Sequence, residues 1–236
     1  MDKSRKVLII TGTSRGIGKE LVKFFLKKNF TVFGCSRKKN RFKHKNYFHS
    51  EVDISNENQV KKWLNEIVNK KKKIDFLINN ASLTPASFPV LLNNKDYAEE
   101  VMKTNFIGVI NVMNEVSKIM IKKKFGRIVN ISSMALALLQ DGTSLYSSSK
   151  SAMETYSKIF AKELSSSNIT CNVVAPSMYD TSSFRELGKK VIENAKKKLQ
   201  FKRLLTINEI GNAINFFFQE ESGVITGQSL YLGLSR

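Results

Sequence analysis

The chain has 236 residues, 42% of them hydrophobic and 25% charged, with a formal net charge of +19 at pH 7. This length fits one sizeable domain with a substantial buried core. No run of about 18 apolar residues occurs, and no apolar stretch with a cleavage site lies near the first residue, so we expect no membrane span, no secretory signal and a cytoplasmic location.

Strand-like and helix-like segments alternate along the chain. In chain order, the predicted elements are strand 6–11, helix 17–28, strand 31–36, strand 47–53, helix 56–70, strand 74–80, helix 95–124, strand 126–133, helix 144–165, strand 169–176, helix 207–219 and strand 228–233. Ser55 or Asn56 is expected to cap the second helix. Residues 177–205 are polar and weakly patterned, which favours a mobile helical flap.

This alternation predicts an α/β fold, because strands followed by helices pair in parallel and the helices cover both faces of the sheet. We therefore expect a doubly wound Rossmann fold with a parallel seven-stranded sheet, in one domain spanning 1–236. Cys35 and Cys171 lie within predicted strands and are interpreted as buried thiols. Without a cluster of cysteine and histidine, we expect no metal site.

The excess of positive charge has two interpretations. Lysine clusters at 70–73, 122–124 and 196–198 lie where helices are expected to end, and cations there complement the helix dipole. The charge is then a general surface property. Alternatively, a basic surface binds an acidic partner. The clusters lack the interleaved aromatic residues that stack on bases, so we expect no nucleic-acid partner, and no membrane partner.

The first predicted strand ends in TGTSRGIG, with Gly12, Gly16 and Gly18 spaced as G-x-x-x-G-x-G. Glycine permits a tight turn and a close approach of the backbone to a ligand. The helix that follows presents free N–H groups and a positive dipole end to a pyrophosphate. A simple glycine turn is the alternative, but the position after the first strand favours a dinucleotide site.

Two arginines bear on the choice of dinucleotide. Arg15 lies within the glycine turn, and Arg37 follows the second predicted strand, where no acidic residue occurs between positions 31 and 40. An acidic residue there would bind the ribose hydroxyls of NAD, whereas arginine suits the 2′-phosphate of NADP. The sequence thus favours NADP(H) over NAD(H), unless Arg37 is only a surface cation.

The stretch SLYSSSKSA places Tyr146 four residues before Lys150. Residues at this spacing share one face of a helix. In a chain so rich in lysine, the pair alone does not indicate catalysis.

The motifs taken together resemble the short-chain dehydrogenase/reductase family in its compact single-domain form. Besides the glycine turn they comprise NNAS at 79–82, KTNFIG at 103–108, IVNISS at 128–133, YSSSK at 146–150 and NVVAPSMYDT at 172–181. Each motif is weak, but their order and spacing are specific, since Tyr146 lies 13 residues after Ser133 and 41 after Asn105.

The resemblance implies catalytic roles for Asn105, Ser133, Tyr146 and Lys150. Tyr146 would exchange a proton with the substrate oxygen, which Ser133 would also hydrogen-bond. Lys150 would favour the phenolate and hold the nicotinamide ribose, and Asn105 would hold a water of the proton relay. Ser132 fits less well than Ser133, because its distance to Tyr146 is one residue too long.

The resemblance also implies further cofactor contacts. They are Ser14, Arg15 and Ile17 in the phosphate turn, Asp53 and Ile54 at the adenine, Asn80 and Ala81 at the adenine ribose, and Tyr179 and Thr181 at the nicotinamide amide, together with Tyr146 and Lys150.

The chain departs from the family pattern at three places. Ser82 and Ser177 stand where glycine is usual, so we expect a shifted or strained loop if either position needs a positive φ. The ending LYLGLSR lacks the usual Asp-Gly-Gly, which bears on assembly. The family implies a homo-oligomer, a tetramer or a dimer, with helices 95–124 and 144–165 between subunits.

Three functions remain open. Residues 201–233 resemble the end of 3-oxoacyl-(acyl-carrier-protein) reductases, which implies an NADPH-dependent ketoreductase for an acyl thioester, with the acidic carrier at lysines 122–124. However, Ser167 stands where a second basic residue is expected. The same chemistry would serve a keto-sugar or another small-molecule ketone. The third possible function is that of a non-catalytic sensor of a dinucleotide. The predicted flap contains four apolar residues that either line a substrate pocket or pack against the rest of the domain. They are Phe184, Leu187, Val191 and Ile192.

Overall fold

The computed structural model describes residues 5–84, 88–139, 141–180, 193, 196–197 and 199–233. Its strands are β1 (Val7–Thr11), β2 (Thr31–Ser36), β3 (Tyr47–Glu51), β4 (Phe76–Asn79), β5 (Gly126–Ile131), β6 (Ile169–Pro176) and β7 (Ser229–Leu232). They form one parallel sheet in the order β3-β2-β1-β4-β5-β6-β7. The predicted seven-stranded, doubly wound α/β fold is confirmed.

The helices agree with the prediction except in the middle of the chain. They are α1 (Gly16–Lys27), α2 (Glu57–Lys71), α3 (Lys95–Met102), α4 (Gly108–Lys123), α5 (Met134–Leu138), α6 (Ser144–Leu164) and α7 (Ile207–Phe217). The predicted helix 95–124 is α3 and α4 joined by a π-turn at Lys103–Ile107. Asn56, not Ser55, caps α2, and its side chain accepts a hydrogen bond from Gln59 N. The short α5 was not predicted.

Two apolar layers cover the sheet, and β1 illustrates the division. Val7 and Ile9 point to the layer formed by α2, α4 and α6, whereas Leu8 and Ile10 point to the layer formed by α1 and α7. All four side chains are fully buried, which explains why β1 is apolar throughout rather than alternating. Cys35 and Cys171 are buried, as predicted.

The strand order reverses beside β1, whose neighbours are β2 on one side and β4 on the other. The carboxyl ends of β1 and β4 therefore open a crevice, and ligands of doubly wound sheets bind at such a position. Thr181 lies outside the described residues, and so do Phe184, Leu187, Val191 and Ile192 of the predicted flap. Within the described part of the chain, none of the helices is long and apolar enough to span a bilayer.

Candidate active site

The glycines of the first turn are required by space and by backbone conformation. Gly12 and Gly16 have φ of +74° and +58°, a region that other residues adopt at a cost. A Cβ at Gly18 would lie 2.2 Å from the carbonyl oxygen of Gly12, and a Cβ at Gly12 would lie 2.7 Å from Cα of Ala81. Glycine at these positions thus lets α1 begin directly against the end of β4.

Two neighbouring strands hold this turn in place. Backbone N–H groups of Gly12 and Thr13 donate to the carbonyl of Cys35 on β2, at 2.8 and 3.0 Å. From β4, Asn80 Nδ2 donates to the carbonyls of Thr11 and Gly12, at 3.0 and 3.1 Å. The backbone N–H of Ala81 donates to Thr11 Oγ1 at 3.0 Å. Asn80 and Ala81 therefore brace the turn, a role that the sequence did not indicate, while their contact with adenosine stays a prediction.

The amino end of α1 offers a site for an anion. Arg15 is the exposed N-cap residue and has an extended backbone, and the first turn of the helix contains no acidic residue. Ser14 and Ile17 are partly buried on either side of it. The unpaired N–H groups of the first helical turn and the positive end of the helix dipole favour a phosphate here.

Basic and hydroxyl groups gather at the end of β2. Ser36 Oγ donates to the carbonyl of Lys38 at 2.7 Å and lies 2.9 Å from His49 Nε2 on β3. Burial lowers the pKa of His49, with the Glu51 carboxylate acting in the opposite direction. Arg37 is exposed and follows Ser36 directly, so its guanidinium is free to meet a phosphate from solvent.

The chain forms a small turn after the end of β3. Asp53 Oδ1 accepts hydrogen bonds from the backbone N–H and the hydroxyl of Ser55, at 2.9 and 2.8 Å. Ile54 is buried, and Gly108 at the start of α4 leaves space for its side chain. Asp53 and Ile54 thus order the loop after β3, and their contact with adenine stays a prediction.

Tyr146, Lys150 and Ser133 meet at the carboxyl end of β5. Lys150 Nζ lies 5.7 Å from the centroid of the Tyr146 ring and donates to the carbonyl of Ile131 at 2.8 Å. Burial lowers the pKa of Lys150 to about 8, and the Glu154 carboxylate acts in the opposite direction. The lysine is therefore still mostly protonated at neutral pH.

The Tyr146 phenol has three hydroxyl neighbours. Burial raises the pKa of Tyr146, and hydrogen bonds with the side chains of Ser133, Ser82 and Thr84 act against that rise. Hydroxyl donors stabilise the phenolate and so ease the loss of its proton. The sequence analysis named Ser133 for this role but not Ser82 or Thr84. Both of these follow the carboxyl end of β4, where ligands of doubly wound sheets bind.

Asn105 lies in the π-turn and is fully buried. Its Oδ1 accepts from Leu83 N at 2.7 Å and from Ser82 Oγ at 3.1 Å. Its Nδ2 donates to the carbonyl of Leu83 at 2.9 Å and to Ser149 Oγ at 3.1 Å. Asn105 thus ties the loop after β4 to the helix that holds Tyr146, and its predicted role in a water relay stays a prediction.

The two adjacent serines have different partners. Ser132 is buried and donates to Glu154 Oε1. Ser133 caps α5 and accepts from Ala135 N at 3.2 Å, and its hydroxyl acts against the rise in the pKa of the Tyr146 phenol. The choice of Ser133 as the catalytic serine stays a prediction. Glu154 itself was missed by the sequence analysis.

The serines that replace glycine cause no backbone strain, because neither Ser82 nor Ser177 has a positive φ. Ser177 is buried, and a Cβ at Gly233 would lie 2.7 Å from its Oγ. Glycine at 233 therefore makes room for the serine. Tyr179 is partly buried and pairs with Leu205 in an isolated parallel bridge, and its predicted partner at the nicotinamide, Thr181, is not among the described residues.

Known proteins match both the sequence and this geometry. Residues 6–192 match the family model described as short chain dehydrogenase. The 3-oxoacyl-(acyl-carrier-protein) reductase of Buchnera aphidicola subsp. Schizaphis graminum is 33% identical, over 98% of this chain and 97% of the relative. The structure titled ElxO with NADP bound has a TM-score of 0.91 and 27% identity, over 97% of each chain. The ligand-free aldohexose dehydrogenase of Thermoplasma acidophilum has a TM-score of 0.90 and 27% identity, over 98% of this chain and 93% of that one.

Proposed function

Because the chain belongs to the short-chain dehydrogenase family, and is therefore an oxidoreductase of CH–OH or keto groups, we propose that it is an NADPH-dependent ketoreductase. The main support is the meeting of four side chains at the ends of β4 and β5. Tyr146 and Lys150 share one face of α6, the Ser133 hydroxyl acts against the rise in the pKa of the phenol, and Asn105 holds the adjoining loop. A protein that only senses a dinucleotide has no need of this set.

The residues fit a dinucleotide at the crevice beside β1. A Cβ at Gly12 or Gly18 would fill the space against the end of β4, and the amino end of α1 suits a pyrophosphate. Arg37 is the residue we assign to the 2′-phosphate, in a position where an acidic residue would exclude it. We therefore prefer NADP(H) to NAD(H).

NADPH, when bound, supplies the hydride that reduces the carbonyl carbon. Tyr146 donates its phenolic proton to the carbonyl oxygen, and Ser133 donates a hydrogen bond to the same oxygen. The product is a secondary alcohol, and the phenolate left on Tyr146 is stabilised by the Lys150 ammonium. The hydroxyls of Ser82 and Thr84 favour the same anion.

A 3-oxoacyl thioester is the substrate we favour, because the Buchnera aphidicola relative that matches over nearly the whole chain is a 3-oxoacyl-(acyl-carrier-protein) reductase. Lys122, Lys123 and Lys124 form the exposed end of α4, and a basic surface suits an acidic carrier. Ser167 supplies no second positive charge, so docking depends on these three lysines.

A keto-sugar or another small ketone is the second candidate for the same chemistry. The likeness to an aldohexose dehydrogenase favours it. Both candidates use Tyr146 as the proton donor, so only the substrate distinguishes them.

Consumption of NADPH by the purified protein tests the proposal. The panel comprises an acetoacetyl thioester of a small thiol, the same group on an acyl carrier protein, keto-sugars and simple ketones. Turnover of the thioesters, with a lower KM for the carrier form that rises with salt, supports the acyl substrate. Turnover of keto-sugars alone moves the assignment to the second candidate. Tight NADPH binding with no turnover of any carbonyl would contradict the proposal and favour the sensor.

A further inference from the structure

A buried carboxylate lies one helical turn beyond the catalytic lysine. Glu154 follows Lys150 by four residues on α6 and is only 6% exposed. It accepts hydrogen bonds from Ser132 Oγ, from Ser229 Oγ at 3.1 Å, and from the Tyr231 hydroxyl at 3.0 Å to one oxygen and 3.1 Å to the other. An acidic side chain is rarely buried without such a set of donors, because its desolvation is costly.

The donors come from separate elements of the fold. Ser132 follows β5, whereas Ser229 and Tyr231 belong to β7 and lie two residues apart, so their side chains leave the strand on the same face. Glu154 therefore connects the catalytic helix both to the end of β5 and to the edge strand of the sheet. A surface ion pair would need none of these contacts.

Lys150 and Glu154 bind consecutive residues next to the catalytic serine. Lys150 Nζ donates to the carbonyl of Ile131, and Glu154 accepts from the hydroxyl of Ser132. The residue that follows is Ser133, whose side chain acts against the rise in the pKa of the Tyr146 phenol. One face of α6 thus fixes residues 131 and 132 while it presents the phenol to residue 133.

Few charged groups face Lys150 within the described residues. Tyr146 lies beside it on its own helix, and Glu154 is the carboxylate that opposes the effect of burial on its pKa. From β5 it meets the neutral carbonyl of Ile131, and from β7 the hydroxyl of Tyr231 donates to Glu154. The π-turn contributes neutral Asn105, through the neighbouring Ser149.

We infer that Glu154 is a positioning residue of the proposed reaction, a buried carboxylate that lies one helical turn from Lys150 and holds the end of β5 through Ser132. This inference rests on the proposed function for its catalytic meaning, but the charge effect exists without a substrate. It also gives β7 a role in catalysis, since Ser229 and Tyr231 hold the carboxylate in place.

The sign of the effect follows from the charge. Removing a nearby negative charge disfavours an ammonium and favours a phenolate, so the pKa of Lys150 and the pKa of Tyr146 both fall. Ketone reduction needs the proton on Tyr146 and the proton on Lys150. Activity is therefore lost as the pH rises through the pKa values of these two groups. Without Glu154, the alkaline limb of kcat/KM therefore moves to lower pH, by about one unit.

The test compares Glu154→Gln with Ser229→Ala. Glutamine has the shape of glutamate without its charge, whereas Ser229→Ala removes one hydrogen bond and leaves the charge. For each variant we would measure kcat/KM of the ketone against pH, the melting temperature, and the ultraviolet titration of Tyr146 as a difference from the corresponding Tyr146→Phe protein. In Glu154→Gln we expect the pH profile of kcat/KM and the ultraviolet titration to move to lower pH. In Ser229→Ala we expect neither curve to move. If Glu154→Gln does not fold, Glu154→Met removes the same charge with an apolar side chain of similar length.

The two measurements separate this inference from the proposed function. If the wild-type protein reduces no carbonyl but the ultraviolet titration shifts in Glu154→Gln alone, the charge effect stands and only the proposed function fails. A titration that is unchanged in Glu154→Gln, or that shifts equally in Ser229→Ala, overturns the inference.

Discussion

Ser82 places a hydroxyl near the Tyr146 phenol, at a position where the family usually has glycine. Its Oγ lies 3.1 Å from Asn105 Oδ1, and the hydroxyl acts against the rise in the pKa of the Tyr146 phenol. Removing the hydroxyl in Ser82→Ala should therefore raise the pKa of Tyr146. The ultraviolet difference titration against Tyr146→Phe would move to higher pH. Ser82→Thr keeps a hydroxyl and should titrate as the wild type does. An unchanged titration in Ser82→Ala would contradict this role.

Arg37 carries the predicted preference for NADP(H). An aspartate there repels the 2′-phosphate and accepts hydrogen bonds from ribose hydroxyls. We expect Arg37→Asp to lower the ratio of kcat/KM for NADPH to that for NADH by about tenfold or more, since a charge-assisted contact is worth about 1.5–3 kcal/mol. Arg41→Asp makes the same charge change at another exposed residue of the loop. If both variants lower the preference for NADPH equally, the cause is the overall charge of the loop, and the assignment of Arg37 to the 2′-phosphate is wrong.

Single residues differ in how far the sequence predicted them. The spacing of Tyr146, Lys150 and Ser133 is fixed by one helix and one strand, so a motif suffices to predict that they lie close together. Glu154 was missed because an acid four residues after a lysine looks like an ordinary exposed helix pair. Only the packing of β7 against α6, between residues distant in sequence, shows that it is buried.

The turn between β1 and α1 has little room for added side-chain atoms. A Cβ at Gly18 would lie 2.2 Å from the Gly12 carbonyl oxygen, which is backbone and cannot turn away. Gly18→Ala should therefore weaken NADPH binding strongly and cost about 1–3 kcal/mol of stability. Fluorescence titration with NADPH and the melting temperature measure the two effects.

Gly126→Ala serves as the control for that turn. A Cβ there would meet the flexible Met120 side chain, at 2.3 Å from its sulfur, at the opposite end of β5 from the active site. It should lower the melting temperature while leaving NADPH affinity near that of the wild type. Normal NADPH binding by Gly18→Ala would contradict the assignment of the turn.

Most elements were predictable because their apolar patterns are long and regular. The π-turn at Lys103–Ile107 was not, since one wider turn hardly changes the periodicity of a helix that continues on both sides. The five residues of α5 are too few to display a period. Its start depends instead on the Ser133 cap, which the sequence analysis had assigned only to catalysis.

Over the whole molecule, the exposed apolar side chains on α4 and α6 bear on assembly. Ile121 and Ile159 are 42% and 54% exposed, and the resemblance places these helices between subunits. We expect light scattering to give the mass of a dimer or tetramer, and Ile121→Glu with Ile159→Glu to lower it. Leu91→Glu, in the turn at Val90–Leu92, should leave the mass unchanged. A monomeric wild-type protein would contradict the prediction.

The central claim is that Tyr146 donates the proton, and one comparison tests it most directly. Tyr146→Phe should lower kcat by a factor of about 10²–10⁴ on the carbonyl that the wild type reduces best, while the Kd for NADPH stays within about threefold, because the glycine turn is untouched. Tyr156→Phe is the matched control, because it removes a hydroxyl from the same helix. That hydroxyl donates to Asn114 Oδ1 at 3.3 Å, and the variant should keep wild-type turnover. Undiminished turnover by Tyr146→Phe would contradict the account.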